Sequence, residues 1–208
     1  MRIPLVVRLL TWTAALQIGI ATAGVAGDSP WLVRSRLIDV APDVSSTLSI
    51  GGAATVESTW VPELDIIYFW HNNFATELIL ATSEHTMGAV GTALGDLDLG
   101  HVWALPPTLL LQYHANPDGR IRPYVGVGLN YTIFYSADPG ALSTIDYSNS
   151  FGYAFQGGVD IGITETWAFN LDVKKVYIQS DLSINGGAVT ADANIDPWVF
   201  GAGLAYRF

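Results

Sequence analysis

The sequence predicts an all-β protein: an eight-stranded antiparallel up-and-down transmembrane β-barrel. Three observations favour this fold class: the pattern of the last strand, eight alternating segments, and connections that are alternately short and long. In the last strand, every second residue from Trp198 to Phe208 is apolar and most are large, whereas the intervening positions are mostly small, with Arg207 the charged exception. This pattern is typical of a strand with lipid on one side and a narrow barrel interior on the other.

The first 23 residues have the form of a secretory signal peptide. Arg2 and Arg8 make a basic start, residues 9–20 are mostly apolar, and Ala21-Thr22-Ala23 has the small-x-small form of a cleavage site. A similar site at residues 24–26 predicts cleavage after residue 23 or 26. A transmembrane anchor is the alternative, but polar residues interrupt the apolar stretch, which is shorter than the ~20 residues that a spanning helix needs.

Residues 24–208 are predicted to form a single outer-membrane barrel domain. The chain has a net charge of −10, which disfavours a nucleic-acid partner. Half of its residues are hydrophobic, and it contains no cysteine. Neither Lys nor Arg occurs between Arg36 and Arg120. Such acidic loops are compatible with a lipopolysaccharide surface bridged by divalent cations, or are simply the solvated loops of an acidic protein.

Eight segments alternate between apolar and polar or small residues. They are 31–40, 63–71, 74–85, 106–115, 121–135, 147–163, 167–182 and 196–208. Tight turns at 71–73, 116–120 and 164–166 join alternate pairs. The other connections are long and rich in Gly, Ser, Thr and Asp, at 41–62, 86–105, 136–146 and 183–195. Short turns at one end and long loops at the other are typical of outer-membrane barrels.

The outward faces of these strands predict two aromatic girdles. Trp70, Tyr113, Trp167 and Phe208 fall at the short-turn end, and Tyr135, Phe151 and Trp198 fall at the long-loop end. A soluble lipocalin-like barrel is the alternative, with its apolar residues inside. That alternative leaves the girdles unexplained.

Inward-facing polar residues predict a polar plug near the short-turn end. Opposite charges in a narrow barrel are expected to pair, because isolated buried charges are costly. The predicted plug comprises Arg34, Glu77, Gln112, His114, Arg122, Asp160, Asn170, Asp172 and Arg207, with Lys174 added through pairing with Asp172 or Asp65.

Near the long-loop end the inward residues become apolar, which predicts an upper lumen that binds a small hydrophobic ligand. The predicted ligand path comprises Ile38, Val40, Ile79, Leu110, Phe134, Val176, Ile178 and Val199, with Trp60 and Trp103 from the adjoining loops. With a closed floor, the expected exit for such a ligand is sideways into the bilayer. The alternative is that these residues only fill the barrel.

Other chemistry has little support in the sequence. A loop metal site at His85 and His101 matches no dependable ligand spacing, so no metal or cofactor is expected. Catalysis would need a nucleophile beside a histidine, for which Ser83 and His85 are the available pair, and the chain is predicted not to be an enzyme. A structural or adhesive barrel that acts through its loops remains an alternative to transport.

Several segments together resemble the OmpW family of small outer-membrane barrels. They are Pro106-Pro-Thr-Leu-Leu-Leu-Gln-Tyr113, Arg122-Pro-Tyr-Val-Gly-Val-Gly-Leu-Asn-Tyr-Thr132, Asp172-Val-Lys-Lys175, Asp196-Pro-Trp-Val199 and Tyr206-Arg-Phe208. The resemblance covers residues 31–208 and implies a barrel that delivers small apolar molecules laterally into the outer membrane. Gly203, Tyr206 and Phe208 resemble the signal read by the barrel-assembly machinery, although Ala202 stands where that signal usually has a polar residue. The expected partners are outer-membrane lipid, lipopolysaccharide, this machinery and a small hydrophobic ligand.

Overall fold

The computed structural model describes residues 29–140, 144–187 and 189–208, so the predicted signal peptide lies outside the described residues. Fifteen strands are present in the described part of the chain. They are β1 (Trp31–Ala41), β2 (Ser45–Leu48), β3 (Ala53–Val56), β4 (Thr59–His71), β5 (Phe74–Ala81), β6 (Ser83–Thr92), β7 (Gly95–Leu105), β8 (Thr108–His114), β9 (Ile121–Asp138), β10 (Ile145–Tyr147), β11 (Ser150–Gly162), β12 (Trp167–Val176), β13 (Gln179–Ile184), β14 (Val189–Asn194) and β15 (Trp198–Arg207). A short 3₁₀ helix spans Asn185–Gly187.

Eight of these strands close into an antiparallel barrel, in the order β1-β4-β5-β8-β9-β11-β12-β15. The barrel closes where β15 pairs with β1, from Leu32 opposite Arg207 to Ala41 opposite Trp198. Each barrel strand therefore pairs with the barrel strands that precede and follow it along the chain. The predicted eight-stranded up-and-down barrel is confirmed.

Above the barrel, at the end with the long connections, the chain forms two further sheets. β3, β6, β7 and the upper part of β9 make one sheet, and β10, β13, β14 and β2 make the other. We call these the upper sheets. The prediction of long loops at 41–62, 86–105, 136–146 and 183–195 is thus corrected, because much of each segment pairs as strands. Glycines with positive φ, such as Gly51, Gly91 and Gly95, mark the tight turns that allow the strands to reverse.

The wall divides into two upper sheets because two barrel ladders end. The β1–β4 ladder ends at Val40 opposite Thr59, and the β9–β11 ladder ends at Thr132 opposite Ser150. The predicted strand 167–182 is accordingly broken after Val176 into β12 and β13. The predicted strands 74–85 and 147–163 are broken in the same way, into β5 and β6 and into β10 and β11.

The outer face of the barrel is apolar and aromatic. Both predicted girdles are exposed on it: Trp70, Tyr113, Trp167 and Phe208 at the lower end, and Tyr135, Phe151 and Trp198 at the upper end. Neighbouring rings pack within the girdles, as Trp167 does with Tyr206 at a centroid distance of 4.9 Å. The soluble alternative required these side chains to be inside, and the exposed apolar band excludes it.

Among the residues that the structure describes, buried apolar side chains form three clusters. One lies at the lower end around Ile67 and Phe69, and a second surrounds the upper lumen around Ile38 and Ile79. The third, which we call the apolar cap, lies between the upper sheets. It consists of Leu48, Ala54, Met87, Ala89, Leu99, Val102, Ile145, Leu182 and Ala193. Within the described ranges, no helix is long and apolar enough to cross a bilayer.

Candidate ligand-binding lumen

Charged side chains from several barrel strands meet inside the barrel. Arg34 on β1 holds Asp160 on β11 through two hydrogen bonds, with Nη2–Oδ2 at 2.8 Å and Nε–Oδ1 at 3.2 Å. Its Nη1 also lies 2.8 Å from Glu77 Oε1 on β5. The guanidinium stacks over the ring of Tyr124 at 4.3 Å. This bidentate geometry fixes Arg34, whose side chain is fully buried.

Arg36 occupies the centre of the same cluster. Its guanidinium lies 2.9 Å from Glu63, 2.5 Å from Asp65 and 3.1 Å from Asp172. Lys174 Nζ lies 2.7 Å from Glu63 Oε1 and 2.8 Å from Asp172 Oδ1. Lys174 therefore pairs with Asp172 as one of the two predicted partners, and with Glu63 instead of Asp65.

We call this cluster the charge network. It consists of Arg34, Arg36, Lys174, Glu63, Asp65, Glu77, Asp160 and Asp172. Neutral groups complete it: Gln112 Nε2 donates to Glu77, Asn170 Nδ2 donates to Asp160, and Tyr124 Oη donates to Asp172. His114 lies beneath, with Nε2 2.9 Å from Gln112 Oε1. These buried, paired side chains fill the cross-section of the barrel at this level.

Two predicted plug residues do not form the expected ion pairs. Arg122 and Arg207 line a lower cavity of about 590 Å³, below the charge network. Neither makes an ion pair within the described residues: Arg122 Nη1 donates to Gly119 O at 3.4 Å, and Arg207 lies over the Phe69 ring at 4.6 Å. Exposed turn residues share this cavity, so water reaches both guanidinium groups and they need no carboxylate partner.

An apolar cavity lies above the charge network and below the apolar cap. Most of the predicted ligand path lines it: Ile38, Val40, Ile79, Phe134, Val176, Ile178 and Val199. Leu110 is buried in the same apolar cluster without lining the cavity. The free volume is about 80 Å³, and Glu63 of the charge network reaches its floor.

The structure places Trp60 and Trp103 outside this cavity, so their assignment to the ligand path is wrong. Trp60 is 64 % exposed on the outer face of β4, and its neighbour Val61 lines the cavity instead. Trp103 stands between Val102 and Ala104 along β7, and both of these neighbours face the cavity. The Trp103 ring packs instead against Tyr135, at a centroid distance of 6.1 Å. The sequence predicts loops at both positions, but the structure has strands there. Alternate side chains of a strand point to opposite faces, so these two rings face away from the cavity.

Sequence reasoning missed several lumen residues. Arg36 and Glu63 belong to the charge network but are absent from the predicted plug. Alternation could have found both, because Arg36 lies two residues after the inward-facing Arg34 on β1 and Glu63 lies four residues before the inward-facing Ile67 on β4. The cavity walls contributed by the upper sheets were also missed, including Met87, Val102 and Ala104.

The structure brings Ser83 and His85 together on the cavity wall. His85 Nε2 lies 2.9 Å from Ser83 Oγ, and His85 Nδ1 lies 3.1 Å from the carbonyl oxygen of Glu57. Burial lowers the pKa of His85, whose position on β6 is above the membrane-spanning barrel strands, so the ring is neutral at neutral pH. His101 lies instead beside Glu84, at 3.4 Å. No group of three or more His, Asp or Glu side chains in the described part of the chain could hold a metal ion.

The predicted assembly residues lie at the closing seam. Gly203 on β15 approaches β1 so closely that a Cβ atom there would collide with the carbonyl oxygen of Ser35. The Tyr206 and Phe208 rings pack edge to face at 4.9 Å on the lower girdle. Gly203 thus has a packing role in barrel closure that is separate from any role in recognition.

Comparison with known proteins agrees with this architecture. The family model described as OmpW family matches residues 26–208. An outer-membrane protein of Sinorhizobium fredii, y4mB, is 40 % identical over 90 % of this chain and 84 % of its own length. Outer membrane protein W of Escherichia coli is 34 % identical over 98 % of this chain and 99 % of its own. The crystal structure of OprG from Pseudomonas aeruginosa superposes with a TM-score of 0.80 at 31 % identity, covering 86 % of this chain and 95 % of that one.

A more distant relative has a name that refers to metabolism. The dibenzothiophene metabolism operon protein PahQ of Pseudomonas aeruginosa is 26 % identical over 88 % of this chain and 90 % of its own length. The match of the family model to nearly the whole described chain, together with the closed barrel and its apolar outer band, identifies this protein as a member of the OmpW family, located in the outer membrane of a Gram-negative bacterium.

Proposed function

We propose that this protein takes up small hydrophobic molecules passively, binding them in the apolar cavity and releasing them sideways into the outer membrane. The observation that carries the proposal is the position of the cavity, which lies between the apolar cap and the charge network. An apolar molecule can enter such a cavity favourably. It cannot continue downward without separating buried ion pairs, which is costly.

An interruption in the wall supports lateral release. β5 and β8 pair as far as Ile79 opposite Thr108, and β6 and β7 resume the pairing at Ser83 opposite Ala104. The register is the same on both sides of this gap. Pro106 and Pro107 occupy it, and neither has an N–H to donate to the facing strand.

The two side chains that line the cavity at this gap are small. Ala81 and Pro106 face each other by register, and both line the cavity. Thr82 bridges the gap weakly, through its hydroxyl to Ala104 O at 3.2 Å, and shares a 2.6 Å hydrogen bond with Tyr135 of the upper girdle. This is a part of the wall where few hydrogen bonds need to break for a ligand to leave towards the outer leaflet.

The size of the cavity requires such a movement. Its free volume of about 80 Å³ is smaller than the roughly 150 Å³ of a buried apolar cavity that binds benzene. A ligand of useful size must therefore displace the wall or the cap. The name of PahQ, which refers to the metabolism of an apolar aromatic compound, also supports an apolar substrate class.

A carboxylate placed in the cavity tests uptake. Val176→Asp or Ile178→Asp should reduce entry of a small alkane-like solute into liposomes with a lipopolysaccharide outer leaflet to the rate without protein. An apolar ligand in the cavity would displace the water that solvates the new carboxylate, which is costly. Thr190→Asp adds the same charge to an exposed position of β14 and should leave entry unchanged. A sugar measured in parallel should not enter, and heat-modifiable gel migration should show that each variant assembles. Uptake at the wild-type rate in both cavity variants would refute the proposal.

A disulfide across the gap tests the exit. The chain contains no cysteine, so Ala81→Cys with Pro106→Cys introduces a single bridge between two positions that the register on both sides of the gap places opposite each other. Oxidation should stop apolar uptake, and a reductant should restore it. If the disulfide forms and uptake is not slowed, this exit is excluded, whereas the proposal that the ligand binds in the cavity is unaffected.

A further inference from the structure

Among the described residues, two hydroxyl side chains lie in the mostly apolar wall of the cavity. Ser83 on β6 and Thr132 on β9 both line it, and their side chains are buried, with relative exposures of 5 % and 0 %. A hydroxyl can donate one proton and accept through its lone pairs. Which of these capacities each hydroxyl can still offer depends on the hydrogen bond that its proton already makes.

The proton of Ser83 is committed to His85. The carbonyl oxygen of Glu57, 3.1 Å from His85 Nδ1, can only accept, so Nδ1 carries the proton of the neutral ring. His85 Nε2 is then an acceptor, and the Ser83 hydroxyl donates to it at 2.9 Å. Ser83 Oγ is left with lone pairs and no proton to offer.

The proton of Thr132 is committed in the same way to Asn130. Asn130 Nδ2 donates to the carbonyl oxygen of Pro106 at 3.2 Å and to Thr108 Oγ1 at 2.8 Å, which fixes the orientation of the amide. Its Oδ1 therefore faces Thr132 and accepts from Thr132 Oγ1 at 2.7 Å. Thr132 Oγ1 is therefore also left with lone pairs and no proton to offer.

Glu63, at the floor, is a carboxylate and likewise accepts, since Lys174 and Arg36 contact it within 2.9 Å. The polar side chains that line the cavity, Glu63, Ser83, His85 and Thr132, therefore offer acceptors and no free donor.

We propose that the cavity selects small apolar molecules that carry one hydrogen-bond donor, such as an alcohol or a phenol, over molecules of the same size that only accept. This inference rests on the proposed uptake function and names its substrate class. A ligand O–H completes the coordination of Ser83 or Thr132, whereas an ether or ester oxygen faces another acceptor and leaves its own lone pairs unpaired. A net hydrogen bond of ordinary strength corresponds to a preference of about three- to ten-fold in affinity.

Isomeric probes test this selectivity without a change in size. 1-Butanol and methyl propyl ether have the same atoms, but only the alcohol donates. Binding is measured in lipid nanodiscs from the chemical shifts of the methyl groups of Ile38 and Ile79, which line the cavity. The wild-type protein should bind the alcohol about three- to ten-fold more tightly than the ether.

The variant Ser83→Ala, His85→Phe and Thr132→Val removes both hydroxyls together with the His85 ring nitrogen, which would otherwise become a free acceptor on the cavity wall. It should abolish the preference, and heat-modifiable gel migration should show that it assembles. Ser35→Ala, on the exposed face of β1, removes a hydroxyl outside the cavity and should retain it. Partitioning into the bilayer is the same for all three proteins, so it cancels when their affinity ratios are compared.

The outcomes separate the two proposals. If both probes bind equally to the wild-type protein, the donor preference is overturned and apolar uptake stands. If the preference persists in the triple variant, its assignment to Ser83 and Thr132 is overturned. If neither probe shifts the cavity methyl groups, both the preference and the proposed function are overturned.

Discussion

Replacing Arg36 with Met tests whether the charge network is a connected unit. Arg36 contacts Glu63, Asp65 and Asp172 within 3.1 Å, and its side chain has no exposed surface. In Arg36→Met the apolar stem is kept and the charge is lost. Five buried carboxylates then share two cations, Arg34 and Lys174.

The expected cost follows from what the change leaves behind. Removing one partner of a buried ion pair typically costs about 3–5 kcal/mol, because the remaining charge stays buried without compensation. The effect is largest at Asp65, because its ion-pair partner among the described residues is Arg36 and its carboxylate is then left without one. The free energy of unfolding in lipid vesicles, measured by urea titration with tryptophan fluorescence, should fall by this amount.

Two further variants make the result specific. Arg120→Met removes an exposed arginine at a lower turn and should change stability by less than about 0.5 kcal/mol. Adding Asp65→Asn to Arg36→Met should recover at least about 1 kcal/mol, because it removes the stranded carboxylate. A loss below about 1 kcal/mol for Arg36→Met, or no recovery in the double variant, would refute the network as a stabilising unit.

Two other predictions concern assembly. Gly128→Ala should destabilise the barrel by about 1–3 kcal/mol, since its Cβ would collide with the carbonyl oxygen of Leu109, whereas Gly157→Ala meets no atom within 4 Å and should be neutral in the same urea titration. Phe208→Ala should lower the yield of folded barrel in cells, measured by heat-modifiable migration of the membrane fraction, because it removes the terminal aromatic of the predicted assembly signal. Phe200→Ala, an exposed residue of the same strand, should assemble normally, and an equal loss in both would show that lipid contact rather than recognition is responsible.

The agreement between sequence and structure is close wherever side-chain alternation decides the outcome. The girdle residues Trp70, Tyr113 and Trp167 are exposed as predicted, and the inward residues Ile38 and Val176 reach the lumen. Alternation is a local property of an extended chain, so it can be recognised without knowing which strands pair. It fails where a strand was taken for a loop, as at Trp60 and Trp103.

Local pattern was thus enough to predict the barrel, its lipid-facing surface and the division of the lumen into polar and apolar parts. It could not predict which charges pair, because the partners lie far apart along the chain, as Arg34 and Asp160 do, and meet only when the barrel closes. The pairing of the long connections into the upper sheets also depends on tertiary structure. The apolar cap between these sheets closes the cavity from above. The proton assignments of Ser83 and Thr132 likewise depend on distances between strands, which no local pattern encodes.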